Sequence, residues 1–167
     1  MNWTAIFGQF SEKENEIVFK GKKVTLENEE TRAEYATLIS DQYFSGGKIS
    51  AEIMFKELHP QLANQCEIIL YFDPSTRNFL SAGLGGSYSM YSIRSFTNKW
   101  ENHALGGVYS NLKPNKTYKV DVELKGSTIV LTVDGIIVLN AEGKRLALLK
   151  FSTIPANCCW GGIDGKD

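Results

Sequence analysis

Two glutamates are the strongest candidates for acid–base chemistry in this sequence of 167 residues. Glycoside hydrolysis with retention needs two carboxyl groups about 5–5.5 Å apart. Glu52 and Glu67 lie in two apolar segments typical of strands, and they could form such a pair if these strands were neighbours. The competing interpretation is that Glu52 is a polar residue on a half-exposed sheet face and Glu67 a solvent-facing one. We favour the second interpretation and predict no catalytic residue.

Histidine and cysteine residues form no metal-binding pattern. His59 and His103 have no ligand partner at a suitable spacing, and the adjacent pair Cys158-Cys159 is too close for the usual zinc ligand spacing. Cys158 and Cys159, together with Cys66, are the three cysteines of the sequence. An odd number with two adjacent residues is a poor disulfide framework, which favours a reduced, cytoplasmic protein. An extracellular location stays open if a leader has been removed.

A glycine-rich segment, residues 81–88 (SAGLGGSY), superficially resembles a phosphate-binding loop. It lacks the lysine and the Ser/Thr of that motif, and no helical pattern follows it. We therefore interpret it as a strand and turn that allow another backbone or a ligand to approach closely.

A group of flat side chains could bind a polar ligand. Sugar rings present apolar C–H faces and polar edges, so their binding sites combine aromatic rings with groups that hydrogen-bond hydroxyls. Strand alternation predicts that Tyr71 shares a face with Glu67, and that Arg94 shares a face with Ser92. The predicted ligand-binding residues are Glu52, Tyr71, Tyr91, Arg94, Trp100 and Tyr109. The competing interpretation is that the aromatic residues fill the core and that Arg94 pairs with Glu52.

Alternating apolar residues dominate the chain and predict β-strands. Residues 49–56 and 118–125 show this pattern, and residues 66–73 are apolar throughout, as is typical of a strand covered on both faces. Asp134-Gly135, between two apolar segments, is typical of a tight hairpin, because both central residues of a type I′ turn need positive φ. Residues 118–140 should therefore form a three-stranded antiparallel meander. Many short strands with little helical signal predict an all-β sandwich.

Composition limits the function classes. Hydrophobic residues make up 43% of the chain, which is typical of a globular protein, and we predict a single domain over residues 1–167. Eighteen basic residues against nineteen acidic ones give a net charge of −1, which disfavours nucleic acid as a partner. No segment approaches the roughly 18 apolar residues of a membrane helix, so we predict no membrane partner.

The order of these features resembles the concanavalin A-like lectin/glucanase superfamily, in particular its laminin-G-like and family-16-like domains. The features that carry the resemblance are Phe44, Gly47, residues 48–55, 66–72, 81–86 and 91–94, Trp100, and residues 112–118 and 126–135. The resemblance covers about residues 3–155. It implies a jelly-roll β-sandwich of two curved antiparallel sheets.

The sequence lacks the Glu-x-Asp-x-x-Glu or Glu-x-Asp-x-Glu strand that the glucanases of this superfamily use. We therefore predict a non-catalytic module that binds a carbohydrate or another small polar ligand on its concave sheet. It would serve a fused or associated effector domain as a sensing or targeting module, and the chain would be the N-terminal part of a longer protein. Two alternatives stay open: a glycoside hydrolase-like enzyme using Glu52 and Glu67, and a protein-interaction or self-assembly domain. We predict no cofactor, although a calcium site of the laminin type stays open.

Overall fold

The computed structural model describes thirteen segments of the chain, which are residues 3–13, 16–19, 23–25, 31–33, 36–40, 43–44, 46–58, 64–76, 78–85, 90–106, 112–142, 154–155 and 159–161. Within these segments every regular element is a β-strand. The predicted all-β class is confirmed.

The strands lie in chain order as follows. They are β1 (Trp3–Phe7), β2 (Phe10–Lys13), β3 (Glu16–Phe19), β4 (Lys23–Thr25), β5 (Thr31–Ala33), β6 (Ala36–Ser40), β7 (Tyr43–Phe44), β8 (Gly47–Met54), β9 (Cys66–Phe72), β10 (Phe79–Gly85), β11 (Met90–Phe96), β12 (Trp100–Gly106), β13 (Thr117–Lys125), β14 (Thr128–Val133), β15 (Ile136–Glu142), β16 (Ile154–Pro155) and β17 (Cys159–Gly161).

Two antiparallel sheets form the sandwich. One has seven strands in the order β1-β6-β17-β9-β10-β11-β12, and the other has four in the order β15-β14-β13-β8. Three two-stranded pairs, β16-β7, β2-β3 and β4-β5, accompany them. Every pairing is antiparallel.

The hydrophobic core lies between the two sheets, because both sheets contribute alternate residues to it. In β13, for example, Tyr118 and Val120 are buried while Lys119 between them is exposed. The core cluster consists of Ile49, Ile53, Ile68, Leu70, Leu80, Ala82, Leu84, Ile93, Tyr118, Val120, Val122, Leu124, Ile129, Leu131, Val133, Leu139 and Ala141.

The predicted meander of residues 118–140 is confirmed. β13 pairs with β14, and β14 pairs with β15 across the Asp134-Gly135 turn. Asp134 has φ 51° and Gly135 has φ 81°, as a type I′ turn requires. The strongest local signal in the sequence therefore fixes the four-stranded sheet.

A β-bulge in β9 changes which side chains share a face. Ile69 pairs with Ser81, but Tyr71 pairs with Leu80, so β9 carries one extra residue between these pairs. Tyr71 consequently packs against the core cluster, whereas Ile69 belongs to a second, smaller cluster. The predicted common face for Tyr71 and Glu67 is wrong, because strict alternation does not survive a bulge.

The side of the seven-stranded sheet that faces away from the core cluster is called here the outer face. Ile68, Leu80 and Ile93 point into the core, so their chain neighbours point to the outer face. Its central residues are Glu67, Ile69, Ser81, Gly83, Ser92 and Arg94.

Candidate functional site

A buried ion pair occupies the centre of the outer face. Arg94 on β11 contacts Glu67 on β9 through Nε, at 2.9 Å from Oε1 and 3.2 Å from Oε2. The exposed fraction is 0% for Glu67 and 1% for Arg94. Both charges are therefore removed from water, which is costly unless each is well paired.

Two serines complete the surroundings of the Glu67 carboxylate. Ser81 Oγ donates a hydrogen bond to Oε2 at 2.8 Å, and Ser92 Oγ donates one to Oε1 at 2.5 Å. Each carboxylate oxygen thus accepts from one hydroxyl and from the guanidinium, an arrangement that suits an acceptor-only carboxylate. The predicted common face of Ser92 and Arg94 is confirmed.

Register explains why these groups meet. Gly83 on the middle strand β10 pairs with Glu67 on one side and with Ser92 on the other. A Cβ at Gly83 would lie 3.2 Å from Glu67 Cγ, so the carboxylate arm extends across the space that a side chain would occupy. The glycine-rich segment therefore permits a close approach, here of Glu67 rather than of a phosphate.

The two glutamates considered as a catalytic pair lie on opposite surfaces of the sandwich. Glu52 is exposed on β8, whose described neighbour is β13, and Glu67 lies on β9, whose neighbours are β10 and β17. Ile53 and Ile68, which follow them, both point into the core, so the carboxyls point outward from different sheets that pack about 10 Å apart. The alternative in which Glu52 and Glu67 form a catalytic pair is therefore contradicted, and the expectation of a solvent-facing Glu67 is wrong.

The predicted ligand-binding residues whose side chains the structure describes do not converge on one groove. Tyr71 and Tyr91 are half-buried against the core cluster, on the side of the sheet opposite Arg94. Arg94 pairs with Glu67 and not with Glu52. Trp100 begins β12 opposite Phe96, and Tyr109 lies outside the described residues.

Tyr91 is instead close to a charged cluster at one end of the sandwich. Lys116 Nζ lies 2.8 Å from Asp134 Oδ2 and 4.3 Å from the centre of the Tyr118 ring. The hydrogen bond with Asp134 raises the pKa of Lys116, and the same bond lowers the pKa of Asp134. Burial raises the pKa of Tyr91. These contacts fix the turn after β14 and give no sign of a ligand.

Gln65 is a polar residue of this region that sequence reasoning missed. It immediately precedes β9 and is only 4% exposed. Its amide atoms Nε2 and Oε1 are both buried and have no hydrogen-bond partner among the described residues. Only its position two residues before Glu67 could have drawn attention to it, since alternation extended by one residue beyond β9 would put both on the outer face.

The described segments show neither a metal-binding cluster nor a membrane-spanning helix. These contain no group of three or more His, Cys, Asp or Glu residues that could hold a metal ion. In the same part of the chain, no helix has the length and apolar character needed to cross a membrane.

Comparisons with known proteins give matches to solved structures alone. No protein-family model and no curated protein sequence matches the chain. The carbohydrate-binding module CBM66 from Bacillus subtilis superimposes with a TM-score of 0.64 at 14% identity, over 96% of this chain and 86% of that one. The Bacillus licheniformis β-glucanase gives a TM-score of 0.53 at 13% identity, over 98% and 79% of the two chains.

The catalytic domain of the Thermotoga maritima laminarinase gives a TM-score of 0.51 at 10% identity, over 99% of this chain and 67% of that one. At such low identity the likeness concerns the fold. The sheet order, the antiparallel pairing and these neighbours together confirm the predicted architecture: the chain has the concanavalin A-like jelly-roll fold.

Proposed function

We propose that this chain is a non-catalytic carbohydrate-recognition module that binds a glycan on the outer face of its seven-stranded sheet. The observation that carries the proposal is the single carboxylate at the centre of this face, locked by Arg94 and two serines. A fused or associated effector domain that the module targets to the glycan is part of the proposal.

The fold supports a carbohydrate ligand. Its neighbours include a protein named as a carbohydrate-binding module and others named as a β-glucanase and a laminarinase. Because one fold can host many functions, the fold sets only the class of ligand to test first.

The polar centre of the outer face supports binding over catalysis. Strands β9, β10 and β11 contain one carboxylate, Glu67, and hydrolysis with two carboxyl groups needs a second within about 10 Å. Glu67 and Arg94 are enclosed, and their contacts link the three central strands β9, β10 and β11 in register. A ligand would contact the groups around this ion pair.

A glycan array followed by calorimetry tests the proposal. We expect binding of at least one glycan with a Kd in the micromolar range, which is about −8 kcal/mol, and no cleavage of the bound glycan on prolonged incubation. Glu52→Gln is the matched control, because Glu52 lies on the opposite surface and its loss should leave affinity unchanged. Absence of binding to every glycan on the array would overturn the proposal, and cleavage would replace it with an enzyme.

Self-assembly is a second candidate function, and one observation favours it. Ile136 and Ile137 on β15 are each 67% exposed, and β15 is the last strand of its sheet. Exposed apolar residues on an edge strand invite pairing with another chain. Light scattering over a concentration series would detect such association, and Ile137→Lys should abolish it. A monomer at every concentration would exclude self-assembly.

A further inference from the structure

Gln65 is an exception to the rule that buried polar groups are hydrogen-bonded. Its amide is enclosed, yet neither Nε2 nor Oε1 has a hydrogen-bond partner among the described residues. An enclosed amide without partners destabilises the folded state, and such a group calls for an explanation, for example a ligand, an ordered water or an ion that satisfies it.

The position of Gln65 connects it to the centre of the outer face. Glu67 lies two residues further along the chain, and extending the alternation of β9 by one residue beyond its start would put Gln65 on the same side as Glu67. The facing strand carries glycines here: a Cβ at Gly85 would lie 3.0 Å from Gln65 Cα, and one at Gly83 would lie 2.6 Å from Glu67 Cα. At these two positions β10 therefore has no side chain beside Gln65 or Glu67.

We propose that Gln65 is a ligand-binding residue whose amide holds two neighbouring hydroxyl groups of an uncharged sugar. The amide nitrogen would donate to one hydroxyl oxygen, and the amide oxygen would accept from the next hydroxyl. This inference rests on the proposed carbohydrate-binding function, and it names the residue and the ligand class within it.

The charge balance of the site favours an uncharged ligand. Glu67 and Arg94 neutralise each other, and Gln65 carries no charge. The paired charges therefore leave no net positive charge to compensate the carboxylate of an acidic sugar, and burying that carboxylate without a partner would cost free energy.

Enclosure of the amide has a kinetic consequence. A ligand can reach Nε2 and Oε1 only after the side chain turns or its surroundings open, because both atoms are inaccessible in this conformation. The association rate constant should therefore lie below the ordinary range of about 10⁵–10⁷ M⁻¹s⁻¹.

The test uses Gln65→Met, which keeps the length of the side chain and removes the amide. Two quantities are measured on the intact chain: the midpoint of thermal unfolding without ligand, and the affinity for the neutral oligosaccharide that binds most tightly on the glycan array. Gln9→Met is the matched control, since Gln9 is exposed.

We expect Gln65→Met to unfold at the same temperature as the original chain or higher, because the substitution removes an unsatisfied buried amide. We expect its affinity for the neutral oligosaccharide to fall by about tenfold or more, the effect of losing hydrogen bonds to a ligand. Gln9→Met should change neither quantity.

Three results would overturn the inference alone. A lower unfolding temperature for Gln65→Met would mean that the amide is satisfied, for example by a buried water, and has a structural role. An unchanged affinity would mean that Gln65 does not touch the ligand, while the carbohydrate-binding function would stand. Tighter binding of the oligosaccharide with a terminal uronic acid than of its neutral counterpart would contradict the ligand class. If no glycan binds at all, the proposed function and this inference both fail.

Discussion

Gly83 lies directly opposite Glu67 on the neighbouring strand, and the Glu67 carboxylate extends across it to Ser92 on the strand beyond. Neighbouring strands lie about 4.8 Å apart, so a glutamate can reach the second strand only if the residue between them has no side chain. The ion pair at the centre of the outer face therefore depends on a glycine.

Replacing Gly83 with alanine should destabilise the protein. The new Cβ would lie 2.5 Å from the Cys66 carbonyl oxygen and 2.6 Å from Glu67 Cα, and backbone atoms cannot move aside as a flexible side chain can. We expect a loss of about 1–3 kcal/mol in the free energy of unfolding, the usual cost of overpacking, measured by urea denaturation. Gly126→Asn is the control, because Gly126 has open space and φ 58°, which asparagine tolerates. Equal stability of Gly83→Ala and the original chain would refute the close approach.

Replacing Arg94 alone should lower the free energy of unfolding more than replacing both Arg94 and Glu67. Arg94→Met leaves the Glu67 carboxylate enclosed without its guanidinium, and the expected loss is about 3–5 kcal/mol. Glu67→Leu combined with Arg94→Met should recover most of that loss, since apolar residues of similar volume replace buried pairs well. Denaturation of both single variants and the double variant gives the coupling energy. A double variant as unstable as the sum of the two single variants would mean that the charges do not interact.

The hairpin and the buried pair differ in how far sequence can predict them. The Asp134-Gly135 turn is local chemistry, because two adjacent residues with positive φ and the apolar segments beside them define it. The pair between Glu67 and Arg94 joins residues that are 27 positions apart, and it depends on a glycine on a third strand. Alternation could place Arg94 beside Ser92, but nothing in the sequence indicates that their strand lies two positions from β9.

The bulge in β9 is the physical reason that alternation predicted the wrong face for Tyr71. Period-two alternation assigns Tyr71 to the face of Glu67, and one extra residue before Tyr71 reverses that assignment. The sequence segment is apolar on both faces, so its composition does not show where the extra residue lies.

The turn between β9 and β10 should make stability depend on pH in the acidic range. Hydrogen bonds from the Ser75 hydroxyl, and then from Thr76, lower the pKa of Asp73 from 3.8 to about 2. Because the pKa is lower in the folded state, the ionised carboxylate stabilises the fold above pH 3.8. That contribution is lost as the pH falls from 3.8 to about 2. An NMR titration of the Asp73 side chain measures the pKa directly.

Ser75→Ala tests the cause of this shift. It removes the hydroxyl that contributes most, so the pKa of Asp73 should rise toward 3.8, and the acid-induced loss of stability should begin at a higher pH. Ser127→Ala, in an exposed turn of the other sheet, is the control and should leave the Asp73 titration unchanged. An Asp73 pKa that is the same in Ser75→Ala would show that another group holds it low.

Variants of Tyr71 distinguish between two candidate binding surfaces, the groove predicted from the sequence and the outer face of the seven-stranded sheet. Its ring packs against the core cluster, so Tyr71→Ala should reduce the free energy of unfolding by about 2–4 kcal/mol, which is somewhat less than for a fully buried aromatic residue. Its affinity for a glycan, measured at low temperature where the variant is folded, should remain within about twofold, because the ring lies on the side of the sheet away from Arg94. Tyr71→Phe keeps the packing and should change neither quantity strongly. If instead Tyr71→Ala lost tenfold or more in affinity while Tyr71→Phe kept it, the ring would be a stacking platform for the sugar, and the binding surface would lie at the core side of β9.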